Sequence, residues 1–429
     1  MNLQAQQVRR IYLLLTLLTT LASSFIWGIN TLFLLSAGLT NTQAFTVNAF
    51  YAAGAFIFEV PTGVLADTRG RRASYLWGTL TLLFSTLLYL WMWQTQAPVW
   101  GWAIASVLLG LGFTFFSGAT AAWLVDALNS TGYDGGLEEV FARGQVVSGA
   151  AMLVGAVAGG FVAQVSSLAV PYIARAGLLG LTFLVAFRSM HDLGFTRMDK
   201  SNVVAEVKTV LTESARTGFG NPNLRWLVLS SFFLSGVGLY GFYAMQPLLL
   251  ELYGDESAFG LAGLAAAVFA GAQILGGVVV PWIQKIFSRR TTAILVGTTL
   301  ATIALVLIGL GDSFWLVATA LVAWAFFFSA ILPVRQAFLN GCIPSSQRAT
   351  VLSLDALVGS AGGAATQPIL GRVADSRGYG ASYLVGAAIH AVALPFIFLA
   401  RRQDAVGEQA EEALAPTPEL ALATVPPRC

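Results

Sequence analysis

Glu59, Arg335 and Asp355 are ionisable side chains inside long apolar runs. Charges are expensive in such surroundings, and where they persist they are usually paired or functional. Arg335 and Asp355 each fall within two turns of the end of their runs, close enough to form one ion pair. Glu59 is more than two turns from Asp67 and has no partner nearby in the sequence. It sits on a narrow stripe of small or polar residues at helical spacing: Asn48, Ala52, Ala55, Glu59, Gly63 and Ala66. A carboxyl group that can be charged or neutral in such a place can carry a proton. Glu59 is the first candidate for that role, Asp355 the next, and Arg335 a partner for either.

Other chemistry is excluded. Two histidines (His191, His390) and two cysteines (Cys342, Cys429) build neither a zinc site nor a disulfide framework. No G-x-x-x-x-G-K-[ST] loop exists, so ATP does not drive the protein and no cofactor is expected. The net charge of +2 gives no basis for binding nucleic acid.

These residues need elements to hold them. Of 429 residues 56% are apolar and only 10% charged, against about a quarter charged in soluble domains. The mean hydropathy is +0.74. Crossing a bilayer takes about 20 mostly apolar residues, and twelve such runs can be marked. They cover 11–37, 43–66, 74–93, 99–127, 143–166, 170–188, 226–252, 257–283, 291–310, 314–340, 351–372 and 381–400. The runs are continuous rather than alternating, which excludes barrel strands. Lys and Arg cluster in the loops on the side of the termini, so both termini are expected in the cytoplasm. Arg372 and Arg377 are exceptions on the other side.

The runs fall into two groups of six, 1–188 and 226–402, joined by a polar connector at 189–225. Val203, Val204, Val207, Val210 and Leu211 give that connector the pattern of an amphipathic helix on the membrane surface. Residues 403–429, rich in Ala, Glu and Pro, read as a disordered tail. The halves repeat weakly. Phe115-Phe116-Ser117 matches Phe327-Phe328-Ser329, Arg71-Arg72 matches Arg289-Arg290, and Gly159-Gly160 matches Gly362-Gly363. Repeated halves are the layout of an alternating-access transporter. Four runs carry polar or aromatic faces: Thr16, Thr20, Ser23, Trp27 and Asn30 in the first; Phe113, Phe116, Thr120 and Trp123 in the fourth; Tyr243 and Gln246 in the seventh; Trp324, Phe328, Ile331 and Arg335 in the tenth.

Residues 63–72 read Gly-Val-Leu-Ala-Asp-Thr-Arg-Gly-Arg-Arg. This resembles the signature loop G-x-L-A-D-x-x-G-R-R of the major facilitator superfamily, with Thr68 where the family usually has a basic residue. The resemblance implies an all-α fold of twelve spans in two pseudo-symmetric bundles, with spans one, four, seven and ten lining a central cavity. It makes Gly63, Asp67, Gly70, Arg71 and Arg72 a gating loop, with Asp67 facing the start of span eleven and Arg71 an acid on span four, here Asp126. It also assigns Trp27, Asn30, Phe116, Trp123, Tyr243, Gln246, Trp324 and Phe328 to the cavity. Gly155 to Gly160 is similar to the end of the drug-exporter signature, with Ala156 in place of Pro. Gly371 to Gly378 copies the gating loop between spans eleven and twelve.

The implied function is proton-coupled export of amphiphilic small molecules by a monomer spanning the lipid bilayer of the inner (plasma) membrane. The alternative is an uptake symporter or facilitator for a metabolite such as a sugar, which the few hydrogen-bonding groups on the four faces disfavour. An integral-membrane enzyme is a remote third reading.

Overall fold

The computed structural model describes residues 3–196, 212, 216, 218–341 and 348–414, and these are helical with no strand among them. The elements are α1 (Leu3–Trp27), α2 (Asn30–Ser36), α3 (Asn41–Arg69), α4 (Arg71–Thr95), α5 (Val99–Thr114), α6 (Ala119–Ser130), α7 (Leu137–Val165) and α8 (Ala169–Ser189). The second group is α9 (Pro222–Tyr253), α10 (Phe259–Val278), α11 (Val280–Ile286), α12 (Arg290–Leu310), α13 (Phe314–Gly341), α14 (Arg348–Ala391) and α15 (Ala393–Leu414).

Three expected spans are broken helices: α1 with α2, α5 with α6, and α10 with α11. Among the described residues 11 helical stretches are long and apolar enough to cross a membrane. The last, Leu354–Gln403, has 50 residues. At ~1.5 Å per residue that is more than twice the ~30 Å of a bilayer's hydrocarbon. It bends back at Gly378, whose φ of 82° stops the helix, and so supplies spans eleven and twelve. The described residues thus make twelve crossings, so the start of the first span and the end of the twelfth lie on the same side. Bulky apolar residues face outward along the spans, among them Val165 at 82% exposure and Trp315 at 77%. A lipid-facing surface demands this.

The repeat is visible in the packing. A Cβ on Gly159 of α7 would meet the carbonyl of Phe25 in α1, and one on Gly362 of α14 would meet the carbonyl of Phe232 in α9. Span five thus presses on span one as span eleven presses on span seven, through the same paired glycines. Close backbone approach through small residues is how helices associate where lipid removes the hydrophobic driving force.

Two boundaries differ from expectation. The tail is helical as far as Leu414 rather than disordered from 403. Its Ala, Glu and Gln are good helix formers, and they extend a helix already nucleated in span twelve. The valines expected to form an amphipathic connector helix lie outside the described residues.

Candidate transport cavity

A cavity of about 670 Å³ lies between the halves, in the part of the molecule nearer the chain ends. Its walls include Trp27 from α1, Tyr51 from α3, Met152 and Ala156 from α7, Tyr243 from α9, Phe269 and Gln273 from α10, Phe328, Arg335 and Gln336 from α13, and Asp355 and Ser360 from α14. A second space of about 550 Å³ opens at the far end, beside Glu251, Glu256 and Tyr379.

A plug separates them where α1 gives way to α2. The Thr31 N–H donates to Gln246 Oε1 at 3.0 Å and its hydroxyl to the Tyr243 carbonyl at 2.9 Å. Gln246 Nε2 donates to the Trp27 carbonyl at 2.7 Å. The break in span one leaves backbone groups unpaired by the helix, and residues of the opposite half satisfy them.

The seam between α3 and α14 shows how the halves diverge. A Cβ on Gly371 would lie 2.8 Å from the Asn41 carbonyl, and one on Gly363 would lie 3.7 Å from Ala52. On Gly63, nearer the chain ends, it would meet nothing within 4 Å. The α7–α10 seam is tight at 2.8 Å between Gly160 and Gly263, has room beside Gly271, and regains contact at 3.8 Å between Gly149 and Ile274. The α3–α14 seam is therefore tight at the far end and loose at the end where α1 begins.

Arg335 and Asp355 form a two-pronged ion pair, with both N–O distances 2.5 Å. Ser231 donates to the same carboxylate at 2.5 Å, and Arg335 reaches the Leu227 carbonyl at 2.9 Å. Both charged groups line the cavity. Glu59 does not join them. It accepts a hydrogen bond from Ser117 at 2.5 Å and is exposed where the seam has opened. In the gating loop Arg71 binds Asp67 at 2.5 Å and lies 3.9 Å from Asp126. Arg72 donates its backbone N–H to Asp192 at 2.7 Å, and its side chain bonds the Phe187 carbonyl. Gly70, with φ 104°, makes the turn into α4. All these gating contacts stay within one half.

Of the eight residues expected in the cavity, Trp27, Tyr243 and Phe328 line it. Gln246 belongs to the plug. Asn30 is buried behind it, bonded to Asn48 and Tyr172. Span four contributes no lining residue, a correction for Phe116 and Trp123. Phe116 packs edge-on against Tyr75 at 4.7 Å, and the buried Trp123 donates to the His191 carbonyl at 2.8 Å. Their shared face presumes an unbroken helix, whereas Gly118, with φ 68°, separates α5 from α6 and changes the phase. Trp324 is corrected too: it is buried behind Phe269 and fills the notch left by Gly241. Tyr51, Gln273 and Ser360 were missed because they come from spans two, eight and eleven, which border the open seams.

Arg175 was also missed. It lies in α8, is 1% exposed, and donates Nε to Thr86 at 3.0 Å. A lone Arg between Ala174 and Ala176 in an apolar run was the available signal.

Two six-helix bundles around a central cavity, open at one end and plugged at the other, define a membrane transporter of the alternating-access class. The family model of the Major Facilitator Superfamily matches residues 12–262 and 257–426, and the chain belongs to that family. No curated protein matches it. Solved structures share the fold at low identity. The nucleoside transporter NupG has a TM-score of 0.74 at 13% identity, covering 91% of this chain and 98% of its own. A bacterial homolog of the human lysosomal transporter Spinster, inward-facing and unoccupied, has a TM-score of 0.69 at 16% identity, covering 94% and 98%. A POT family transporter in complex with 5-aminolevulinic acid has a TM-score of 0.67 at 14% identity, covering 91% and 94%.

Proposed function

We propose that the protein is a proton-coupled secondary transporter that exports amphiphilic small molecules from the cytoplasm. The observation that carries this reading is the 670 Å³ cavity, which combines Trp27, Tyr51, Tyr243, Phe269 and Phe328 with one ion pair, beside a seam that is loose at Gly63 and tight at Gly371. The Lys/Arg bias of the loops puts the loose end in the cytoplasm, so the state described above is inward-open. Asp355 is the favoured proton carrier, because it faces the cavity whereas Glu59 does not. Cargo entering beside Arg335 competes for the guanidinium and frees the carboxylate to take a proton.

Uptake of a polar metabolite remains a second reading, favoured by one observation. Gln273, Gln336, Ser235 and Ser360 give the cavity more hydrogen-bonding groups than the faces of spans one, four, seven and ten suggested.

Cells expressing the protein should resist toxic amphiphiles, and a proton uncoupler should abolish that resistance. Asp355→Asn should remove uphill transport while downhill exchange persists, and Glu59→Gln should leave both intact. Uphill transport lost only in Glu59→Gln would move the proton to span two. Accumulation rather than extrusion would favour uptake.

A further inference from the structure

The second half carries a groove on its lipid side that shares no lining residue with the central cavity. Its volume is about 250 Å³, and it lies between α11, α12 and α13. The walls are apolar, among them Trp282, Ile283, Ile286, Val296, Leu300 and Ile331. Trp282, Ile286, Val296 and Leu300 are exposed, so the groove opens onto the bilayer. We propose that it seats an acyl chain of an anionic phospholipid, with Lys285 and Arg290 holding the headgroup phosphate.

The dimensions suit one chain. From Arg290 to Leu300 the helix advances ~15 Å, half the ~30 Å of a bilayer's hydrocarbon. The groove therefore runs from the membrane surface to the depth of a single leaflet, the one on the side where α1 begins.

Charge at the mouth argues for an anionic headgroup. Lys285 stands beside Ile286 in the short helix α11, and Arg290 opens α12 just ahead of the groove residue Ala293. Both cations are exposed, and no ion pair among the described residues includes either. The Arg290 side chain reaches the Ala337 carbonyl at 3.4 Å. No Asp or Glu occurs from 257 to 311. The first half shows the same arginine pair supplied with acids. There Arg71 binds Asp67 at 2.5 Å, and the Arg72 backbone N–H donates to Asp192 at 2.7 Å. The copy at 289–290 has no acid in its own segment, and a basic pocket between helices at the membrane surface suits a lipid phosphate.

A second groove, of about 270 Å³, faces lipid at the far end between α9, α10 and α13. Its lining residues fall in 245–269 and 314–322, which hold no Lys or Arg. That groove should take lipid without regard to charge.

Native mass spectrometry of the purified full chain, titrated with phosphatidylglycerol or phosphatidylcholine of the same acyl chains, tests the proposal. One copy of phosphatidylglycerol should bind roughly 25-fold more tightly than phosphatidylcholine, about fivefold for each cation near the headgroup. Lys285→Gln and Arg290→Gln should each lose about one such factor. Arg402→Gln, which removes an exposed arginine at the end of span twelve, should lose none. Val296→Trp should shed the tight copy by filling the groove, and glycerol 3-phosphate should not compete for it. Equal retention of the two lipids by the native protein would overturn the proposal without any variant. A preference that survives in both Lys285→Gln and Arg290→Gln, or falls as much in Arg402→Gln, would move it away from this groove. Displacement by glycerol 3-phosphate would make the cations a free-phosphate site and not a lipid site.

Discussion

The two ends of the α3–α14 seam carry closely similar short sequences in opposite conditions. Gly63-Val-Leu-Ala-Asp67-Thr-Arg69-Gly70 closes α3, and Gly371-Arg-Val-Ala-Asp375-Ser-Arg377-Gly378 closes the first limb of α14. Both end on a glycine with positive φ, 104° and 82°. At the far end Asp375 crosses to the other half and accepts the backbone N–H groups of Asn41 and Thr42, each at 2.8 Å. It also accepts the Thr42 hydroxyl at 2.5 Å, while Tyr379 donates to Asn41 Oδ1 at 2.5 Å. The first turn of a helix leaves N–H groups without partners and presents a partial positive charge. Asp375 meets both needs for α3. Asp67 pairs with Arg71 of its own half at 2.5 Å, and Arg71 lies 3.9 Å from Asp126. The difference teaches that this loop is a latch of a general kind: a carboxylate at the end of one seam helix, ready for the first turn of its neighbour. If the copies at the two ends engage by turns, each closing its own end of the seam, perturbing one should act opposite to perturbing the other.

The strongest way to break this comparison is steric. A side chain at Gly371 must displace the Asn41 carbonyl and Phe45, whereas one at Gly63 meets nothing within 4 Å. Gly371→Leu should therefore force the far end apart, and Gly63→Leu should hold the near end open by obstructing its closure. Overpacking costs about 1–3 kcal/mol, enough to move a balanced two-state equilibrium roughly 5- to 150-fold. Spin-label distances across both ends of the seam read this directly. The two variants should shift them in opposite directions, and both should stop transport. Shifts of the same sign would end the idea that the ends alternate.

Removing the latches themselves should do less. Asp375→Asn loses a charged cap with three donors. Caps of this kind are worth about 1–2 kcal/mol. The far end should open more often while the helices persist. Asp67→Asn should have the opposite sign, favouring the inward-open state, because its carboxylate is needed only when the near end shuts. If Asp67→Asn also opens the far end, Asp67 supports the turn rather than the latch.

Much of this was legible beforehand, and the reasons for the rest are physical. Hydropathy reports burial in lipid, so the spans and their number could be read from it. The matching of Gly159-Gly160 with Gly362-Gly363 survives as equivalent helix contacts because close approach admits no larger residue. Proximity to the run ends was enough to pair Arg335 with Asp355. What failed was phase. The face drawn through Phe116 and Trp123 crosses Gly118, whose positive φ breaks the helix, and both rings turn into one packed cluster with Tyr75 rather than toward the cavity. Asp375 stood in a recognised copy of the gating loop, but its partners Asn41 and Thr42 are more than 330 positions away, and no local pattern links them. Arg175 shows the converse: it is plain in the sequence, and only the fold reveals that Thr86, Tyr89 and Tyr172 border it.

The smallest expected effect concerns pH, and it separates the latch from the proton carrier. Burial pushes the Asp375 carboxyl up, but the hydrogen bonds from Thr42 and Asn41 outweigh it and hold the group below the ordinary 3.8. A carboxyl with a lowered value stabilises the contact above its ordinary range and releases it as pH falls through the lowered value. The far-end seal should therefore be indifferent to pH from 8 down to about 5, and should weaken only below the ordinary carboxylate range. Distances across the far end, followed during acid titration, should be flat through neutrality and lengthen only in strong acid. In Asp375→Asn that late change should vanish, because the amide does not titrate. A native seal that opens between pH 7 and 5, and fails to do so in Asp375→Asn, would make the latch itself the proton sensor. The flat outcome leaves coupling to a carboxylate whose surroundings change with cargo, and the cavity offers one in Asp355, held by Arg335 until something else binds that guanidinium.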